Sequence, residues 1–157
     1  MSSLKALETE PLRHFKGLLR KVNRLYEYGN YKVELGVYSF DLTGQEFDCE
    51  KIYRATGLNC GKPLQITEIS AKEITSDLSY YLQDNFWHTG RAEDAERWRQ
   101  FAKQYLQLLK ACVDLKNSRA FDCKENDSRG DYWWFSFIIY QETTGCCVAV
   151  DGIAGDW

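Results

Sequence analysis

Long apolar runs are missing from this chain, and none approaches the roughly 20 residues that a membrane-spanning helix needs. The opening stretch MSSLKALETEPLRHF lacks the apolar core of a secretory signal. Both absences set the cytoplasm as the expected compartment, where thiols stay reduced. A surplus of positive charge is missing too. The formal charge of −3 argues against a chain coated throughout for nucleic acid. There is no CxxC pair, and the two histidines, His14 and His88, lie far apart, so no zinc-ligand spacing is present. No repeat, low-complexity tract or linker divides the 157 residues. One domain spanning 1–157 is expected, with a loose lead-in over 1–10 and a Gly-rich tail over 151–157.

Aromatic residues are abundant. Their densest stretch is Asp131 to Gln141, DYWWFSFIIYQ, which reads as a strand with no polar face. Side chains alternate across a sheet, so Tyr132, Trp134, Ile138 and Tyr140 point one way, and Trp133, Phe135, Phe137 and Ile139 the other. A strand apolar on both sides is covered on both sides or meets a partner. This one belongs near the middle of its sheet.

Periodicity supplies the remaining elements. Leu12, Phe15, Leu19, Val22 and Tyr26 recur at helical spacing after Pro11, and Gly29 is a natural stop. Tyr31 to Phe40 alternates as a strand. Thr43 and Glu46 have capping-box spacing and announce a helix running to about Arg54 or Thr56 and ending at Gly57. A turn at 59–63 precedes a short strand over 64–69. Ser70 and Glu73 repeat the capping-box pattern before the apolar face Ile74, Leu78, Tyr81, Leu82 and Phe86. A break at 88–90 leads to the strongest helical pattern, Arg91 to Lys116. Strands over 118–123, 131–141 and 146–150 complete a C-terminal meander. The expected fold class is α+β: an antiparallel sheet of about four to five strands packed against about four helices.

Charge is segregated. Arg13, Lys16, Arg20 and Arg24 recur three and four residues apart, beside Lys21, and make a basic stripe next to the apolar one. Such a stripe suits an acidic protein surface or phosphates; a solvated helix face is the bland alternative. Asp41, Glu46, Asp48 and Glu50 crowd one segment, in the manner of a helix N-terminus rather than a calcium loop.

Catalytic patterns are thin. Six cysteines without a signal sequence, with Cys146 and Cys147 adjacent, are expected to be reduced and partly in the core. Cys60, in the turn NCGKP beside Lys62, is a nucleophile candidate only where His88 approaches it in space. Asp122-Cys123-Lys124 matches the acidic-x-lysine element of restriction-type nucleases over three residues, and Asp114-Leu115-Lys116 matches it equally. Asp151 to Asp156 is no phosphate loop, since the lysine and helix that complete one are absent. Arg129-Gly130-Asp131 is the turn into the aromatic strand. Trp157 is expected to fold back on the body.

The expected function is binding of another macromolecule without catalysis, as an inhibitor, an immunity-type protein or an adaptor. The contact residues expected are Arg13, Lys16, Arg20, Arg24, Tyr132, Trp133, Trp134 and Tyr140. A protein is the first partner class, nucleic acid the second, and no membrane, metal or cofactor is expected. The competing readings are a hydrolase or nuclease assembled from distant residues, and a nucleic-acid-binding module.

Overall fold

A computed structural model describes residues 4–25, 31–56, 65–85, 92–124 and 133–156. In chain order the elements are β1 (Lys5–Ala6), α1 (Glu10–Leu25), β2 (Tyr31–Asp41), α2 (Cys49–Arg54), β3 (Gln65–Ile69), α3 (Ala71–Tyr80), α4 (Ala92–Cys112), β4 (Arg119–Lys124), β5 (Trp133–Gln141) and β6 (Cys146–Asp156). A single π-helical turn, Tyr81–Asn85, extends α3, and a 3-10 turn, Leu115–Asn117, follows α4. The strands form one antiparallel sheet in the order β1-β2-β6-β5-β4-β3. The α+β class and the antiparallel sheet with four helices agree with the sequence reading; the sixth strand is the two-residue β1.

The apolar alternation decides what each face meets. On one face Val33, Leu35 and Val37 of β2, Phe135, Phe137 and Ile139 of β5, and Val148 and Val150 of β6 pack under the helices. From above, α1 contributes Leu12, Phe15, Leu19 and Val22, α3 contributes Ile74 and Leu78, and α4 contributes Trp98, Phe101, Ala102, Tyr105 and Leu109. Phe15 meets Tyr105 edge to face, with ring centroids 4.7 Å apart. The opposite face carries Phe40, Phe121, Cys123, Ile138, Tyr140, Cys147 and Ala149, with Ile52 and Tyr53 of α2 laid over them. β5 is therefore covered on both sides, as its two-faced composition requires.

Three expectations change. The stretch 151–156 is no tail: it is the second half of β6, the strand between β2 and β5. The lead-in is tied down at Lys5–Ala6, which pairs with Asp41 and Phe40. Thr43 does not cap a helix. Its N–H and hydroxyl both donate to the Asp41 carboxylate, at 3.0 and 2.6 Å, and Gly44 takes a φ of 76°, left-handed backbone that a helix does not accept. The helix starts later, where the Asp48 side chain accepts from the Lys51 N–H. The Gly29 stop, the turn at 59–63 with Cys60, the break at 88–90, the Arg129-Gly130-Asp131 turn, Tyr132 and Trp157 lie outside the described residues.

Candidate binding groove at the open sheet edge

The outer edge of β2 is where the basic stripe meets the sheet. β1 covers only Phe40 and Asp41, and the Leu7 N–H donates to the Ser39 carbonyl at 2.9 Å just beyond it. Four residues back, the side chain of Asn23 on α1 takes the place of a neighbouring strand. It accepts from the Leu35 N–H at 2.9 Å and donates to the Leu35 carbonyl at 3.2 Å. In an antiparallel strand the two backbone groups of a residue face the same side, and alternate residues face alternate sides. Val37 therefore turns its edge outward, as Leu35 and Ser39 do.

Val37 lines a groove of about 250 Å³ together with Lys16, Arg20, Asn23, Gly36 and Tyr38. Lys16 pairs with Glu8 at 3.3 Å. Arg13, Arg20 and Arg24 are exposed, and none of their side chains has an ion pair or hydrogen bond to the described residues. Helical geometry holds them in one row, because residues three and four apart share a face. The row presents three guanidinium groups uncompensated by the described residues, of which Arg20 lines the groove, each a planar fork suited to carboxylate or phosphate.

Gly36, which lines the groove, also belongs to a polar seam that sequence reasoning missed. Gly36, Asp151 and Ser136 stand side by side on β2, β6 and β5. A Cβ at Gly36 would sit 2.5 Å from the Asp151 carboxylate and 2.8 Å from the Tyr38 hydroxyl, so the bare glycine is what admits both groups. Asp151 is 2% exposed and Ser136 1%. The Ser136 hydroxyl finds no hydrogen-bond partner among the described residues. Burial pushes the Tyr105 phenol well above its ordinary range, and the charge of Asp151 adds to this. The available signal was an aspartate inside the apolar run VAVDGIA, read instead as part of a Gly-rich end.

The aromatic candidates divide differently. Tyr140 is buried, its ring stacked on Phe47 at 4.4 Å with an interplanar angle of 3°, so it is core and offers no contact surface. Trp134 is half-buried on β5. Trp133 lies on β5 next to it and pairs with Ala154; Tyr132 lies outside the described residues. The stripe and the aromatic strand are thus not one patch: α1 flanks the sheet edge, and β5 lies two strands inward.

Cys60 and His88 are both outside the described residues. Asp122 and Lys124 share one side of β4 and form an ion pair at 3.6 Å. Burial raises the Asp122 carboxyl, Lys124 opposes that shift, and Asp77 from α3 adds to it. Among the described residues no group of three or more His, Cys, Asp or Glu side chains is placed to hold a metal ion. In the acidic segment, Asp48 caps α2 and Glu50 pairs with Arg54 at 2.6 Å. No described helix is long and apolar enough to cross a membrane.

Comparison with known proteins adds the fold. No protein-family model matches the chain, and no curated protein matches it. Among solved structures, citrus MAF1 in space group P 31 2 1 superposes with a TM-score of 0.56 at 12% identity, covering 89% of this chain and 99% of that one. Citrus MAF1 in space group C 2 2 21 gives a TM-score of 0.56 at 11% identity, over 88% of this chain and 99% of that one. The likeness is one of fold. At such identity it carries no residue and no activity from one protein to the other.

Proposed function

We propose that this protein acts by binding a partner protein, whose acidic surface docks against α1 and the open edge of β2. The observation that carries this reading is the row Arg13, Arg20 and Arg24, exposed and uncompensated by the described residues, beside a groove that offers strand edge and polar side chains. Arginine is favoured at interfaces because its fork pairs with carboxylates in two parallel hydrogen bonds. The half-buried Trp134 and its neighbour Trp133 extend the contact only for a partner that reaches past the edge. The fold shared with citrus MAF1 is compatible with a binding role and does not select one.

A photo-crosslinking amino acid in place of Lys16, which lines the groove, tests the reading in extract. The expected product is a discrete protein adduct that vanishes in an R13E/R20E/R24E background. Adducts to RNA or DNA alone would replace the reading with the nucleic-acid alternative.

A further inference from the structure

The first residue of α2, Cys49, is half-buried, and its sulfur stands 3.9 Å from that of Cys123 on β4. The two are 74 positions apart in sequence, so the fold alone brings them together. Each is held independently. Asp48 caps α2, and Ile52 and Tyr53 seat it on the sheet. Cys123 is paired in β4 opposite Ile66 and is fully buried. Cys49, Phe47, Lys51, Arg119 and Phe121 line an open groove of about 780 Å³, which gives small molecules a route to Cys49.

We propose that Cys49 and Cys123 are a redox-sensitive dithiol, which a hydroperoxide closes to a disulfide that clamps α2 onto β4. The Cys49 thiolate attacks the peroxide; the O–O bond breaks, an alcohol or water leaves, and Cys49 becomes a sulfenic acid. The Cys123 sulfur then attacks Cys49, the S–O bond breaks, and the Cys123 proton leaves with the hydroxyl as water. Two thiols lose two electrons and two protons, and the peroxide is reduced by the same two electrons. A disulfide spans about 2.05 Å between sulfurs, so closing the pair brings the sulfurs together by roughly 2 Å.

The division of labour follows from the surroundings. The hydrogen bond with Cys49, together with burial, holds the Cys123 thiol far above its ordinary range, so Cys123 is the resolving group and not the first to react. The other described thiols are withheld by burial, which raises Cys112 to about 11 and pushes Cys146 and Cys147 upward as well. Because the bond joins distant segments, the oxidised protein resists denaturant better than the reduced one.

Hydrogen peroxide applied to the full chain, followed by iodoacetamide and a non-reducing tryptic digest, tests this. The expected species is peptide 33–51 joined to peptide 120–124, released by dithiothreitol. Cys123→Ser should instead accumulate a Cys49 sulfenic acid that dimedone traps. The proposal is overturned if peroxide leaves the thiol count unchanged. It is equally overturned if Cys49 links to any cysteine other than Cys123, or over-oxidises as fast in the native protein as in Cys123→Ser.

Discussion

At Gly152 a Cβ would meet Phe135 at 2.6 Å and Leu35 at 2.7 Å, one from each neighbouring strand. Large side chains on β5 and β2 fill the space that a central strand normally fills for itself, which is why β6 is built from small residues here. Gly152→Ala is expected to cost about 1–3 kcal/mol by overpacking, read as a lower urea midpoint at unchanged slope. The carboxyls of Asp77 and Asp122 carry a second residue-scale effect. Burial raises both, with Glu73 adding to the first, and with Lys124 opposing and Asp77 adding to the second. A carboxyl whose pKa is raised by folding favours the native state at low pH and loses that contribution as pH climbs through its native value. Asp77→Asn/Asp122→Asn should therefore be more stable than the parent chain at pH 7. The advantage should shrink on acidification and be gone below the ordinary value of 3.8. A constant difference between the two proteins across that pH range would contradict it.

Elements announce themselves in sequence where local chemistry decides them. The Ser70–Glu73 box is present in full: Ser70 accepts from the Glu73 N–H at 3.1 Å, and Glu73 accepts from the Ser70 N–H at 3.3 Å. Ile74 and Leu78 then fall on the buried side, as their spacing requires. The same spacing at Thr43 and Glu46 misleads because Asp41, two residues earlier, takes the Thr43 hydroxyl. β6 was half legible. Its Cys146–Val150 part is a continuous apolar run, whereas Asp151–Asp156 has the glycines of a loop, and at Gly152 only the neighbouring strands explain the glycine. Asn23 was not legible as an edge partner, since nothing on α1 reveals which strand lies beside it. Asn23→Ala leaves the Leu35 N–H and carbonyl without their partner, and a loss of about 1–3 kcal/mol is expected in chemical denaturation. It should also raise amide exchange at Leu35; protection equal to the parent chain's would argue that the edge is held by something else.

The whole molecule manages its sheet edges unequally. β3 is a five-residue strand with mostly exposed side chains, whose Glu68 pairs with Arg119 at 2.6 Å. On the other side β1 and Asn23 each cover part of β2, and the groove at Val37 lies between them. Half of the candidate site was legible: the basic row follows from i, i+3 and i, i+4 spacing on α1 alone. The groove exists only once α1 is laid against the edge of β2, and the seam Gly36, Asp151 and Ser136 only once three strands are in register. The aromatic strand is legible as a β-strand with two apolar faces, but the burial of Tyr140 is not, because Phe47 comes from a loop whose position no periodicity encodes. An acidic partner at α1 gains attraction from three guanidinium groups at the interface rim, so its affinity should fall as salt screens them.

Fluorescence anisotropy of a labelled poly-glutamate peptide, titrated with the full chain at low and at physiological salt, addresses that claim most directly. Binding should weaken with added salt, and R13E/R20E/R24E should lose roughly tenfold or more of the low-salt affinity, with a flatter salt response. Equal affinity and equal salt dependence for the two proteins would contradict a docking role for α1.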